Sequence, residues 1–178
     1  QITVNHEIMV YQAYDDETGL LTVKRGALDT IPQNHVAGSV LYFADDFITV
    51  DPTEYVTGEI INVKALTTTP SGILSLDDVD AQQVEIQARA IRPYPPANVK
   101  INDVYWPTKI ETDLVLTWVD RNRIQQTGGS ILGWFDGGVT IELGTQTHLI
   151  LTQLDENDLE LATTNANLTG TTSYTFPI

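Results

Sequence analysis

The segment LLTVKRGALDTIPQNHVAGSVLYF, residues 20–43, contains two strand patterns separated by a long loop. Side chains alternate between two faces over residues 20–25, as in a β-strand, until Gly26 interrupts the pattern. A second strand pattern follows over Ser39–Phe43. The sequence therefore predicts two β-strands that carry the loop Gly26–Gly38 between them.

Short alternating runs separated by turn residues recur along the chain, and long runs with a 3.6-residue period are absent. This pattern predicts an all-β protein. The other predicted strands are Ile8–Tyr14, Phe47–Val50, Tyr55–Leu66 and Gln83–Ile91 in the first half, and Asn98–Ile101, Asp113–Val119, Val139–Leu143, His148–Leu154, Leu159–Ala162 and Thr171–Pro177 in the second. Trp118 shares a strand face with Leu114 and Leu116, so we expect it in a core.

Composition and charge exclude several classes of protein. The 178 residues are 42% hydrophobic and 19% charged, which is typical of one or two globular domains. The net charge of −15 is spread over both halves: 5 Lys and Arg face 14 Asp and Glu before Ala97, and 4 face 10 from there on. Such acidity argues against a nucleic-acid partner and against anionic membranes. No apolar run has the roughly 20 residues of a membrane span.

The absence of cysteine excludes disulfides, thiol catalysis and Cys-ligated zinc. We find no motif that predicts a cofactor, a metal site or a catalytic set. His6 and Glu7 begin like H-E-x-x-H, but Val10 stands where the second histidine is needed. Acidic clusters could supply oxygen ligands for Ca²⁺ but lack the spacing of a calcium loop, and we expect solvated turns. These clusters are Asp15–Glu17, Asp45–Asp46, Asp77–Asp80 and Asp155–Asp158.

The segment RPYPPANVKIN, residues 92–102, is the strongest candidate for a domain boundary. Its three prolines remove backbone donors and restrict φ, which favours an extended connector. We therefore predict a β-rich domain over residues 1–92, a hinge over 93–97 and a second domain over 98–178. Because the chain begins with Gln1, we also expect a piece of a longer polypeptide.

Three segments resemble, in the same order, segments of large tail proteins of long-tailed bacteriophages and prophages. RGALDTIPQNHVAG (25–38) resembles R-G-x-L-D-T-x-P-x-x-H-x-x-G, and RPYPPANVKIN resembles the junction between a β-rich and a fibronectin type III-like domain. LTWVDRNRIQQT (116–127) resembles L-T-W-x-x-R-x-R-x-Q-Q-T of that second domain. The resemblance implies a tail-tip or baseplate protein that is assembled in the bacterial cytoplasm and acts in the virion tail.

The second domain is expected to be an incomplete fibronectin type III-like sandwich. Such domains have seven strands, and about five are visible after the proline hinge. An unpaired sheet edge invites pairing with another chain. We therefore expect an intermolecular β contact or a poorly ordered second half.

Three groups of residues are candidates for an interaction site. Arg25, Asp29 and His35 either bind a ligand or another tail subunit, or hydrogen-bond across their own loop and hold its shape; we favour the second interpretation. Arg121 and Arg123 are expected to pair with carboxylates or close the strand end. Aromatic side chains in loop-like sequence either cap a sandwich or form a platform for sugars: Trp106, Trp134 and Phe135, with Tyr105 beside them.

The sequence thus predicts a structural or interaction fragment of a tail protein, not an enzyme. Its partners would be other tail subunits, through a homo-oligomer or an edge strand, and a host glycan or receptor is a further candidate. One alternative is a carbohydrate- or receptor-binding module. The other is a cell-wall glycan hydrolase, which requires two carboxylates about 5–10 Å apart and one with a raised pKa.

Overall fold

The computed structural model describes residues 1–44, 51–126 and 130–177. Over these residues the protein is all-β, as predicted, and its helices are single 3-10 turns of three residues. The strands are β1 (Ile2–Val4), β2 (Glu7–Asp15), β3 (Leu20–Lys24), β4 (Tyr42–Phe43), β5 (Ile60–Val63), β6 (Thr68–Thr69), β7 (Gly72–Ile73), β8 (Gln82–Glu85), β9 (Ala97–Ile101), β10 (Leu114–Val119), β11 (His148–Leu154), β12 (Glu160–Asn167) and β13 (Ser173–Phe176). No helix in this described part is long and apolar enough to cross a membrane.

Two predicted features lie outside the described residues: the strand Phe47–Val50 and the acidic pair Asp45–Asp46. The chain forms two compact units, of which unit 1 comprises Gln1–Ile48 and Pro93–Ile178 and unit 2 comprises Thr49–Arg92. Unit 2 ends where the predicted proline hinge begins. Unit 1 combines both ends of the chain, so its residues come from both predicted domains; the evolutionary domain division stays a prediction.

Unit 1 contains a four-stranded antiparallel sheet with the strand order β3-β2-β1-β4. Strands β1 and β2 place Ile2, Val4 and Met9 in a buried cluster, and Leu21 and Val23 of β3 pack against it. Leu21 and Val23, which share one face of the alternating strand β3, are therefore its partly buried residues on the core side. The predicted strand 39–43 is shorter than expected, because β4 pairs with β1 at only two positions.

Unit 1 also contains a three-stranded sheet, β13-β10-β9, and the β11-β12 pair. Trp118 of β10 is buried, which confirms its predicted place in a core. An apolar cavity of about 180 Å³ is lined by Val99, Leu116 and Trp118 and by Leu149 and Leu168. The described residues between 97 and 177 contain five strands, against the six segments predicted as strands there, and the likeness to a fibronectin type III domain stays a prediction.

The predicted strand Val139–Leu143 is wrong, because these residues form no strand in the structure. Glu142 instead turns inward and is 5% exposed, whereas its neighbour Leu143 is 97% exposed. Val139, Ile141 and Leu143 do alternate with polar residues in the sequence. The ion pair of Glu142 with Arg123, however, determines that Glu142 is the buried side chain.

Unit 2 consists of two short antiparallel pairs, β5-β8 and β6-β7. The predicted strand Gln83–Ile91 is wrong beyond Glu85, because Ala88 adopts a left-handed conformation (φ +53°) that starts the 3-10 turn Arg89–Ile91. The predicted strand Tyr55–Leu66 is reduced to β5, since Gly58 makes a turn at φ +85°. None of the described residues of this unit, 51–92, is buried.

Candidate functional site

Glu7 anchors the loop Gly26–Gly38 from inside unit 1. It is fully buried at the start of β2. Arg25 donates to both carboxylate oxygens, from Nε to Oε1 and from Nη2 to Oε2, each at 2.6 Å. The backbone N–H groups of Gly26 (2.8 Å) and Gln33 (2.9 Å) add two more hydrogen bonds. His35 places Nε2 2.8 Å from Oε2, so five donors converge on one carboxylate.

This arrangement determines the protonation state of Glu7. Burial by itself raises the pKa of a carboxyl group, because it disfavours the charged form. The hydrogen bonds from Arg25, Gln33, His35 and Gly26 outweigh burial and hold the pKa of Glu7 below its ordinary value. An ionised carboxylate with all its donors in place is a poor general base. Glu7 therefore acts as a structural anchor that ties both ends of the loop to β2.

The structure brings two of the three loop candidates together. Arg25 and His35 meet at Glu7, and Arg25 also donates from Nη2 to the carbonyl of Gln33 at 2.6 Å. Asn5 lies on the far side of the imidazole, with Nδ2 3.4 Å from Nδ1 of His35. Asp29 is not among the groups that contact Glu7. Its negative charge instead interacts electrostatically with Tyr94 and Arg121.

Arg121 connects the loop to the end of β10. Its side chain is buried and donates from Nη2 to the carbonyl of Leu28 at 2.7 Å and from Nη1 to that of Gly26 at 3.4 Å. The guanidinium also lies over the ring of Tyr94 at 5.8 Å. The sequence predicted that Arg121 pairs with a carboxylate or closes the strand end. In the structure it donates to backbone carbonyls, because the turn Gly26–Leu28 presents two acceptors to the strand end.

Arg123 has the carboxylate partner that was expected for this pair of arginines. Its Nη2 lies 2.8 Å from Oε1 of Glu142, and its backbone N–H donates to Oε2 at 3.0 Å. The hydrogen bonds from Arg123 lower the pKa of Glu142 and outweigh its burial. This pair holds Arg123, which follows the end of β10, against Glu142.

The aromatic candidates form one cluster in unit 1. Trp106 stacks on Trp134 with ring centroids 6.0 Å apart and planes inclined by 11°. Phe135 meets Trp134 edge to face at 5.0 Å, and Tyr105 contacts all three rings. Trp134 is buried, whereas 70% of Trp106 and 47% of Phe135 remain exposed. The cluster therefore has a buried base and an exposed aromatic surface.

The loop and the aromatic cluster border one open groove. The groove has a volume of about 550 Å³ and is lined by Arg25, Pro32, Gln33, Asn34, Trp106 and Phe135. The backbone N–H of Trp134 donates to the carbonyl of Arg25 at 2.8 Å and so fixes the two walls against each other. Arg25 of the loop candidates therefore lines a single candidate site together with Trp106 and Phe135 of the aromatic candidates.

Two of the acidic clusters serve local structure. Asp15 accepts hydrogen bonds from the backbone of Glu17 and Thr18, and Asp155 accepts them from Asn157 and Leu159, so these acidic clusters shape their own turns.

Burial raises the pKa of Asp120. Within the described residues, the groove that Asp120 lines contains no second carboxylate. The hydrolase alternative stays a prediction, to be tested by turnover of peptidoglycan.

Sequence reasoning missed Glu7, the residue on which the loop depends. Two signals could have found it. Glu7 lies on the same face of the strand as Met9, and a carboxylate in an apolar row requires a buried partner. Arg25 could have been recognised as that partner, because the next strand returns antiparallel to β2.

Comparisons with known proteins add no family to these observations. No family model matches the chain. A comparison with curated proteins also finds no match. The functional interpretation therefore rests on the residues and their geometry, together with the resemblance of the three segments.

Proposed function

We propose that the chain is a structural and interaction module of a bacteriophage or prophage tail protein, of the tail-tip or baseplate type. It acts through contacts between subunits in the virion tail, during assembly or host attachment. The resemblance of residues 25–38, 92–102 and 116–127 supports the phage assignment. We propose no catalytic activity for the chain.

The exposed apolar side chains of unit 2 are the observation that carries the interaction role. Over residues 51–92 no side chain is buried. Large hydrophobic side chains nevertheless lie at the surface, each at least 42% exposed: Val56, Ile60, Val63, Ile73, Leu74, Leu76, Val84 and Ile91. Val56, Ile86 and Ile91 line one groove of this unit, and exposed apolar surface of this kind marks contacts with other proteins.

The described residues of unit 2, 51–92, form two two-stranded sheets and no larger one. Two-stranded antiparallel pairs are marginally stable in water unless a further strand or layer covers them. An open groove of about 710 Å³ between Tyr55–Thr57 and Glu85–Ile91 adds uncovered apolar surface. A protein surface that packs on this unit would bury these side chains and stabilise both short sheets.

We propose a second copy of this chain as the partner. Strand β5 has the sequence IINV without a charged residue, and its outer edge has no strand partner within the described residues. Edge strands that avoid pairing usually carry charges or proline. An antiparallel edge can pair with its own copy about a two-fold axis, which is the commonest symmetry of protein dimers.

The oligomeric mass of the full chain tests this proposal. We expect sedimentation equilibrium to show a reversible dimer or a larger assembly. Ile60→Lys places a charge on the β5 edge and should weaken association at least about tenfold, as expected for the loss of a central contact. Leu143→Lys is the matched control, because Leu143 is 97% exposed in unit 1 and its replacement should leave the association constant unchanged. A wild-type chain that stays monomeric at every concentration would contradict the proposal.

A further inference from the structure

We propose that the groove between Trp106 and the loop Gly26–Gly38 binds a neutral carbohydrate, with one sugar ring packed on the exposed indole of Trp106. The inference goes beyond the subunit contact and does not depend on it. The groove lies within unit 1, whereas the proposed contact uses β5 of unit 2.

The first argument is the geometry of Trp106. Its indole is 70% exposed, yet stacking on the buried Trp134 and contact with Tyr105 hold it in place. The residue also adopts φ +51°, a left-handed conformation that is unusual for a bulky side chain. Strained backbone of this kind is concentrated at functional sites. A flat, rigid aromatic face in water is the surface on which the C–H face of a sugar ring packs.

The second argument is the polar wall opposite the ring. Gln33 and Asn34 are exposed, and within the described residues no hydrogen bond engages their side-chain amides. An amide donates and accepts at neighbouring atoms, as a sugar hydroxyl does. Arg25 uses Nε and Nη2 on Glu7 and Gln33, which leaves the N–H groups of Nη1 for a ligand in the groove it lines.

The third argument is charge, which favours a neutral ligand. The guanidinium of Arg25 is paired with Glu7, and Lys24 is paired with Asp136 at 2.8 Å. Within the described residues, no carboxylate lines the groove, so a cation finds no ligand there. The net charge of −15 repels polyanions. Neutral hydroxyl groups match the unpaired amides without a charged partner.

The fourth argument is size. A volume of about 550 Å³ lies within the range of small-molecule sites, which runs from about 300 to 1,000 Å³. The groove is open, so a sugar within a longer chain can enter without its neighbours being buried. We therefore expect recognition of one or two sugar units of an oligosaccharide.

The test uses the full chain on an array of immobilised glycans, followed by titration in solution. Maltotriose, lactose and triacetylchitotriose are the soluble probes, with tryptophan fluorescence and chemical-shift changes as readouts. Trp106→Asn removes the indole and keeps a residue that tolerates a left-handed backbone, so the fold should survive. We expect it to weaken binding at least about tenfold, by analogy with the loss of a central aromatic contact.

Two further variants separate the site from the fold. Asn34→Ala removes one amide of an exposed loop residue and should weaken binding several-fold without a change in thermal unfolding. Tyr14→Asn is the matched control, because Tyr14 is a 53% exposed aromatic residue on β2 outside the groove, and it should bind as the wild type does.

The proposal is overturned if the wild-type chain binds neither an array glycan nor a soluble probe. It is also overturned if Trp106→Asn and Asn34→Ala bind sugar like the wild type. The Ile60→Lys variant keeps the two proposals distinguishable, since it should lose association and retain sugar binding. A failure of sugar binding would leave the subunit contact untouched, and a monomeric chain that binds sugar would leave the groove untouched.

Discussion

Glu7 is the residue whose environment determines the position of the loop. A buried charge is tolerated only when partners replace the lost water, and here Arg25, His35 and two backbone N–H groups do so. The loop residues are 18–28 positions away in the chain, so folding of the loop is what brings these donors to the carboxylate. By holding Arg25 and Gln33, the carboxylate fixes two residues of the groove wall.

Replacing Glu7 with Gln should destabilise the protein by about 2–4 kcal/mol, because Arg25 would lose its charged partner. The figure lies towards the low side for a broken buried pair, since Arg25 is about one-third exposed. Urea unfolding followed by circular dichroism measures the change. Glu156→Gln, at an exposed turn, is the control and should stay within about 0.5 kcal/mol of the wild type. Equal stabilities of the two variants would refute the anchoring role.

The pKa of Glu7 also predicts an acid dependence. Because the folded-state pKa is below the ordinary value, Glu7 stabilises the protein above the pKa of an unfolded glutamate. This contribution declines as the pH falls below about 4.5 and is lost as it passes the lowered folded-state pKa. The free energy of unfolding, measured from pH 7 downwards, should fall more steeply for the wild type than for Glu7→Gln. Parallel curves would show that Glu7 titrates alike in both states.

At the scale of the elements, local sequence predicted the strands that pair over five or more residues. Strand β3 has the predicted bounds, and β11 does as well, because both alternate and both have a long partner. The alternation at residues 83–91 was equally regular, but a left-handed Ala88 ends the strand. Pairing partners far along the chain decide between such cases, and a local pattern does not contain them.

The sequence identified individual residues of the candidate site, but it did not show that they lie together. Trp106, Trp134 and Phe135 were identified as aromatic residues that either cap a sandwich or bind sugars, and Arg25 and His35 as loop residues. Their meeting depends on Gly133, where a Cβ would lie 3.0 Å from the carbonyl oxygen of Arg25. In the sequence, such a close approach is visible only as a glycine, which cannot be distinguished from a glycine in an ordinary turn.

Gly26 gives a prediction about the loop as an element. An added Cβ would lie 2.7 Å from Cδ of Pro32 and 2.8 Å from Cβ of Trp134, at φ +56°. Gly26→Ala should therefore destabilise the protein by about 2–4 kcal/mol through steric overlap and backbone strain together. Thermal unfolding and urea unfolding measure the loss.

Gly38 provides the matched control at the other end of the loop. It also has a positive φ, +87°, but a Cβ there would meet no atom within 4 Å. Gly38→Ala should cost only the backbone strain, about 1–2 kcal/mol. If the two alanine variants were equally stable, the close packing of the loop against Trp134 would be wrong.

For the whole molecule, the distribution of buried residues separates the two units. Unit 1 buries Ile2, Val4 and Met9 in one cluster and Trp118 and Trp134 elsewhere. The described residues of unit 2 bury none. Composition could not reveal this difference, because both halves of the chain are similarly acidic and apolar residues occur throughout. Only the three-dimensional arrangement shows which apolar side chains remain for a partner.

The most direct measurement of the proposed contact is the rate at which a single thiol on β5 reacts. The chain contains no cysteine, so Val63→Cys introduces one reporter on this strand, and Leu143→Cys introduces a matched reporter in unit 1. We predict that the thiol at position 63 becomes protected from maleimide as the protein concentration rises, and that Ile60→Lys restores its reactivity. A thiol at position 63 whose rate relative to the one at position 143 does not change with protein concentration would contradict the proposal that a second copy covers unit 2.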